Sequence, residues 1–469
     1  MSALGASELP SLDEVEARLL ARWPETRIEP SLDRITRAMS LLGDPQRTYR
    51  SVHLTGTNGK TSTARIVEAL LAASGERTGR LTSPHLTTIR ERIALDGEAI
   101  GEREFLAAYV AVAEQAERVD AAMPHPMSFF ELTVAMAYRA FADAAVGVAV
   151  VEVGMGGRWD ATNVIDAEVA VLLPVDLDHT DYLGPTTAAI AREKAGIIKP
   201  GAVAVSARQS EDVAKVFRDR ARSVGARLVV LGEDVALLDR QPAEGGQLIS
   251  VRGLHGTYRD VLLALRGRHQ AENAACAIVA VEAMLGRSLD DDAVRAGLAR
   301  VASPGRFDVR PGSPPVVLDA AHNPHGARAL VASLAELAPR GTYAVVASMA
   351  DKDIEGMLRE LEPVVDAVVC TRNSSPRSLA ARELAACARQ VFGAERVHLA
   401  SDVATGIEAA KSLAVTGAAD SDDPVVLVTG SVVTVGDADR LLPSAWRPDP
   451  VRTRPPRPPD RPVALPLPG

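Results

Sequence analysis

The sequence predicts an α/β chain built on two parallel sheets, the first carrying a small antiparallel meander. Three observations lead there. Val146–Val153 and Val169–Val175 are near-continuous apolar runs, the pattern of parallel strands covered on both faces. A glycine-rich stretch, Gly56–Gly59, joins a short β-run at Ser51–Thr55 to a helical pattern at Thr61–Ala73. Beyond Ser303-Pro304-Gly305, four β-runs alternate with four helical patterns, which is the signature of a second parallel sheet.

The remaining elements follow from periodicity. Glu14–Arg22 and Leu32–Leu42 carry apolar residues at spacings of three and four, so both are expected to be helices. Phe129–Phe141 and Gln270–Leu285 are apolar enough to be buried helices. Val203–Ser206 and Leu228–Leu231 suit two further strands. Leu237–Leu265 alternates weakly around Gly245-Gly246, as an antiparallel meander would. In the second half the expected strands are Val316–Asp319, Tyr343–Ala347, Ala367–Thr371 and Val425–Thr429. The helices between them are Gly326–Leu337, Ile354–Leu361, Leu379–Val391 and Val403–Leu413. Pro443–Gly469 holds 10 of the 30 prolines and reads as a disordered tail. The expected division is residues 1–303, 304–442 and 443–469.

Composition narrows the function. The 469 residues carry a net charge of −9, which gives no electrostatic footprint for nucleic acid. No apolar run is long enough to span a bilayer, and the first residues lack the charged and apolar regions of a secretory signal. A cytoplasmic monomer is expected. Cys276, Cys370 and Cys387 follow no metal spacing and read as reduced thiols. The basic residues are unequal: six lysines stand against 46 arginines. A lysine retained in such a chain is a candidate for chemistry that a permanently charged guanidinium cannot supply.

One of the six lies in His53-Leu54-Thr55-Gly56-Thr57-Asn58-Gly59-Lys60-Thr61-Ser62. Glycines let backbone N–H groups approach phosphate oxygens, and the helix N-terminus adds partial positive charge. Lys60 can reach the terminal phosphates of a nucleotide, and the hydroxyl after it can approach Mg²⁺. Leu54 stands where the strict phosphate-loop pattern has glycine, so the match is to its second half.

That loop opens a longer resemblance. Leu81-Thr82-Ser83-Pro84-His85-Leu86, Glu152-Val153-Gly154-Met155-Gly156-Gly157-Arg158-Trp159-Asp160-Ala161-Thr162-Asn163 and Asp178-His179-Thr180-Asp181-Tyr182-Leu183-Gly184 follow it. Then come Glu193-Lys194-Ala195-Gly196-Ile197-Ile198-Lys199, His269-Gln270-Ala271-Glu272-Asn273-Ala274-Ala275, Pro304-Gly305-Arg306 and Asp319-Ala320-Ala321-His322-Asn323-Pro324. In this order the motifs resemble the bifunctional folylpolyglutamate synthase/dihydrofolate synthase family of the Mur ligase superfamily, over residues 30–440. The chain departs from many members at Thr61, where glycine followed by serine is common.

The resemblance implies a P-loop ATPase domain of the Mur ligase central type, followed by a Rossmann-like C-terminal domain. It implies ATP and Mg²⁺ as cofactors, and dihydropteroate, reduced folates and L-glutamate as substrates. Thr57, Asn58, Gly59, Lys60, Thr61, Asn273, Arg306 and Asp319 would hold the nucleotide. Ser83, Glu152 and His179 would bind Mg²⁺. Lys194 would be carbamylated by CO₂, a reaction that needs a neutral amine. Lys60, Lys194 and His322 would be catalytic, and Ser128, Phe129, Phe130, Glu131, Trp159, Asp160 and Ala161 would line the pterin pocket. Arg372–Arg377 is a weaker candidate for a glutamate site. Lys199 reads as a solvated turn charge, and Lys215, Lys352 and Lys411 carry no evident chemistry. Two rival readings remain: a muramyl-type amino-acid ligase, and a P-loop switch protein that binds nucleotide without ligating. The first usually has a whole nucleotide-binding domain ahead of its phosphate loop, where this chain has a short helical lead-in.

Overall fold

The computed structural model describes residues 9–24, 30–337, 341–417 and 423–443. All of the expected tail except Pro443 lies outside the described residues.

The first sheet has eight strands. Their spatial order is Glu98–Ala99, Ile93–Leu95, Thr78–Leu81, Val148–Glu152, Arg50–Thr55, Val169–Leu172, Val203–Ser206 and Arg227–Val230. The last six run parallel, and the first two form an antiparallel edge. Both faces are covered, which explains the continuous apolar runs. Val148 and Val150 point into one core with the helices Lys60–Ala73 and Arg268–Leu285. Ala149 and Val151 point into another with Glu102–Ala122 and Phe129–Asp143. The meander is Ala236–Ala243, Gly246–Arg252 and Thr257–Leu263, and its Ile249, Tyr258 and Val261 join the first core.

The second sheet is ordered Asp308–Arg310, Val316–Leu318, Pro424–Thr429, Gly341–Val346, Ala367–Cys370 and Val397–Leu399. Only Asp308–Arg310 is antiparallel. Helices lie on both faces here too: Pro324–Leu337, Ile354–Leu361 and Ala381–Phe392 on one, Val403–Gly417 and Val432–Asp439 on the other.

Several elements depart from the sequence reading. The helix Glu102–Ala122 was not expected, although Phe105, Ala108, Val112, Ala116 and Val119 form its buried stripe at spacings of three and four. Glu211–Ser223, Asp291–Arg300 and Val432–Asp439 were also missed. The strand Thr78–Leu81 escaped notice because it carries Arg80 into the interior. There the guanidinium meets Glu68 at 2.6 Å, so a charged residue is tolerated at a buried position. The run Val169–Val175 stops as a strand at Leu172, where the backbone leaves the sheet towards the site loops.

Candidate active site

The site gathers at the C-terminal ends of the parallel strands of the first sheet, where ligands bind in open α/β folds. Strand Arg50–Thr55 ends in the glycine-rich loop, and helix Lys60–Ala73 begins immediately after it. Gly59 has φ +87°, a conformation open to glycine at little cost. A Cβ added there would stand 2.8 Å from the Asn273 Oδ1. The loop and helix Arg268–Leu285 therefore touch, and Asn273 faces the phosphate loop. Asn273 donates to Gln270, Gln270 to Ser62 Oγ, and the Ser62 hydroxyl pairs with that of Ser303.

Two lysines share one acceptor. Lys60 Nζ donates to the Gly56 carbonyl at 2.9 Å and to the Thr57 carbonyl at 3.2 Å. Lys194 Nζ donates to the same Gly56 carbonyl at 3.0 Å. Lys194 reaches this point because its helix, Thr187–Lys194, packs against the loop after Glu152 with no intervening side chains. A Cβ on Gly157 would meet the Glu193 carbonyl at 2.8 Å, and one on Gly196 would meet the Arg158 Cα at 2.4 Å. Burial, and then the nearby charge of Lys60, lower the Lys194 pKa to about 7. Burial also lowers that of Lys60. A neutral amine on Lys194 is thus accessible at ordinary pH, the property that carbamate formation requires.

Glu152 ends the central strand with 2% exposure, and burial raises its pKa. Its two carboxylate oxygens each accept from the Thr61 hydroxyl at 3.0 Å, and the Ser83 backbone N–H lies 3.3 Å from Oε2. Among the described residues no group of three or more His, Cys, Asp or Glu side chains converges. Mg²⁺ binds proteins through one or two carboxylates and takes its other oxygens from water and phosphate. The Glu152 carboxylate and the Thr61 hydroxyl, with the Ser83 backbone beside them, fit such an ion. His179 stands in the left-handed conformation with φ +52°, its Nε2 3.9 Å from Asp178 Oδ1, and is close enough to Lys60 to feel its charge.

The Ala-His-Asn-Pro turn of the second sheet faces this cleft. His322 Nδ1 pairs with the Ala320 carbonyl at 2.9 Å, and its Nε2 stands 3.6 Å from Asp178 Oδ2. Asp319 accepts from the backbone N–H groups of Phe307 and Ala321 at 2.8 and 2.9 Å, and burial raises its pKa. It thereby ties the Gly305-Arg306 turn to the end of its own strand. Arg306 donates to the Gly305 carbonyl at 3.1 Å and is close enough for its charge to act on Glu152, Lys60 and Asp319.

Most of the residues expected at the pterin pocket are engaged in contacts that shape the fold. Ser128 and Glu131 form a capping box at the start of helix Phe129–Asp143, and Glu131 also binds Arg34 at 3.0 Å. Phe129 is buried under the Arg92 guanidinium, 4.7 Å from its ring centre. Phe130 is half-buried and lies against Gly154, where an added Cβ would be 2.6 Å from its ring. Asp160 accepts from the Thr162 backbone and hydroxyl and from the Met155 N–H, fixing the loop that presents half-buried Trp159 and buried Ala161.

Two lysine readings need correction. Lys199 is no solvated turn charge: its side chain is 18% exposed and donates to the Asn163 carbonyl at 2.9 Å. Lys352 is in the site, paired with Asp178 at 2.9 Å. The sequence placed Asp178 in a motif but gave no sign of a partner 174 residues away.

Residues 54–281 match the Mur ligase middle domain, and residues 305–432 match the Mur ligase glutamate ligase domain. The chain belongs to the dihydrofolate synthase/folylpolyglutamate synthase family. It is 50% identical over 462 residues to the dihydrofolate synthase/folylpolyglutamate synthase of Mycobacterium tuberculosis, covering 93% of this chain and 94% of that one. The Bacillus subtilis enzyme of the same name is 31% identical over 420 residues, covering 88% and 95%. A crystal structure of M. tuberculosis folylpolyglutamate synthase complexed with ADP and AMPPCP superposes with a TM-score of 0.89 at 47% identity, covering 93% of this chain and 99% of that one. Escherichia coli FolC in complex with DHPP and ADP gives 0.80 at 31% identity, covering 94% and 99%.

Proposed function

We propose that this family member is an ATP-dependent ligase that adds L-glutamate to dihydropteroate, giving dihydrofolate, and to reduced folates, lengthening their glutamate chain. A substrate carboxylate oxygen attacks the γ-phosphorus of ATP, yielding an acyl phosphate and ADP. The glutamate amine then attacks the acyl carbon and expels phosphate, leaving an amide. Phosphoryl transfer of this kind depends on positioning and charge stabilisation more than on a protein nucleophile.

The observation that carries the reading is the convergence of Lys60, Lys194 and the Glu152–Thr61 pair on one phosphate loop. Thr57, Asn58, Gly59, Lys60 and Thr61 would cradle the phosphates, with Asn273, Arg306 and Asp319 completing the nucleotide site. Mg²⁺ would be held by Glu152, Ser83 and His179, and would offset phosphate charge when bound. Lys60 and Arg306 place positive charge where the transferring phosphoryl group develops negative charge. Lys194 is proposed to carry a CO₂-derived carbamate, turning a cation into an anion beside the metal. His322 would orient glutamate or the transferring phosphate. Trp159 and Phe130 are half-buried and would offer surface to a pterin, whereas Ser128, Phe129, Glu131, Asp160 and Ala161 would act by shaping the pocket.

The join at residues 303–304 is proposed as the division between the ATP-binding and glutamate-ligase domains, and the enzyme as a cytoplasmic monomer. No described helix is long and apolar enough to cross a membrane. ADP release measured with dihydropteroate and with tetrahydrofolate in parallel tests the function. Turnover that requires both ATP and L-glutamate supports it, and its absence with both acceptors defeats it.

A further inference from the structure

We infer that Asp178 is an interdomain latch: it sets the position of the second sheet over the phosphate loop by gripping Lys352, Asn323 and His322 at once. Its Oδ1 accepts from Lys352 Nζ at 2.9 Å, and its Oδ2 accepts from Asn323 Nδ2 at 3.0 Å. The His322 Nε2 stands 3.6 Å from the same Oδ2. All three partners come from the second sheet's loops, while Asp178 comes from the first. The Asp178 and Lys352 side chains are only 10% and 13% exposed, so the pair is shielded from water and differs from a surface ion pair.

Both ends of the latch are anchored. Asp178 is three residues past Val175, in a loop stitched to the phosphate loop. Thr57 Oγ1 donates to the Asp176 carbonyl at 2.9 Å and accepts from the Asp176 N–H at 3.0 Å. The neighbouring Asn58 Nδ2 donates to Asn323 Oδ1 at 3.2 Å and to His325 Nδ1 at 2.7 Å. On the other side, Lys352 sits in a tight turn closed by its own N–H on the Met349 carbonyl. The helix Ile354–Leu361 starts directly afterwards, capped by Asp353. A shift of the phosphate loop is therefore transmitted through Asp176 and Asp178 to Lys352 and the His322 turn. The latch makes Asp178 and Lys352 positioning residues for the ligation proposed above, with no contact to the reacting atoms required of either.

A double-mutant cycle tests this. Asp178→Asn and Lys352→Met each remove the charge pair while leaving a side chain of similar size. Each is expected to lower kcat by about a hundredfold, the scale of a misplacement of about 1 Å, with the KM for ATP moving less. The double variant should lose no more than Asp178→Asn alone, because the pair with Lys352 is already gone in that variant. With a non-hydrolysable ATP analogue bound, small-angle scattering should give both variants a larger radius of gyration than the wild type. Losses that multiply in the double variant would overturn the latch, as would scattering as compact as the wild type's. A wild type that releases no ADP would defeat the ligase reading instead, and the scattering comparison would still decide the latch.

Discussion

Lys194 is a buried lysine beside Lys60. An ammonium withdrawn from water and set beside a second ammonium is destabilised twice, so its pKa falls to about 7. The sign is clear: because the folded value lies below the ordinary one, the neutral amine prevails above about pH 7 and is lost below it. Carbamate formation consumes the neutral amine. Activity is therefore expected to fall on the acid side with a midpoint near pH 7, and added bicarbonate should move that midpoint to lower pH. A pH–rate profile with and without bicarbonate measures this; an unmoved acid limb would count against the carbamate. Lys194→Arg loses the amine and fixes a positive charge where the carbamate would be negative, so it should fold yet turn over at least about a hundredfold more slowly, as expected when charge in a preorganised site is reversed. Glu152→Gln should weaken Mg²⁺ binding in the presence of ADP, read by titration calorimetry, because a carboxylate is the strongest oxygen donor among the three ligands proposed here.

At the scale of elements, the phosphate loop and the helix beginning at Phe129 separate shape from chemistry. Gly59→Ala places a Cβ in left-handed backbone and against Asn273, and should cost about 1–2 kcal/mol of stability for the backbone alone. Chemical denaturation measures that loss, and ADP affinity should fall with it because the loop must move. Ser128→Ala removes half of a capping box and should cost about 1 kcal/mol. If Ser128 only holds the helix, the KM for dihydropteroate will stay near the wild-type value while the denaturation midpoint drops. A KM rise without loss of stability would instead place the hydroxyl on the substrate.

Across the whole molecule, both parallel sheets were legible because covered strands write continuous Val, Ala and Leu runs, and the meander because its residues alternate around Gly245-Gly246. The long helix Glu102–Ala122 was not, since its charged outer face broke up a buried stripe that is plain once Phe105, Val112 and Val119 are seen together. The site divided in the same way. Lys60 and Lys194 stood out because lysine is scarce and their neighbours form ordered motifs. Lys352 did not, because its meaning lies in Asp178, a partner brought close only by the meeting of two sheets. Local chemistry is written in adjacent residues, whereas pairing across a domain boundary is a property of the fold.

The central claim, ligation through an acyl phosphate, is tested most directly by oxygen transfer. Dihydropteroate carrying oxygen-18 in its carboxylate is incubated with the enzyme, ATP, Mg²⁺ and L-glutamate, and the inorganic phosphate is analysed by mass spectrometry. With both carboxylate oxygens labelled, one labelled oxygen is expected in each phosphate released, together with labelled dihydrofolate. Phosphate carrying no oxygen-18 would mean that water, not the substrate carboxylate, attacks the γ-phosphorus, and would contradict that claim.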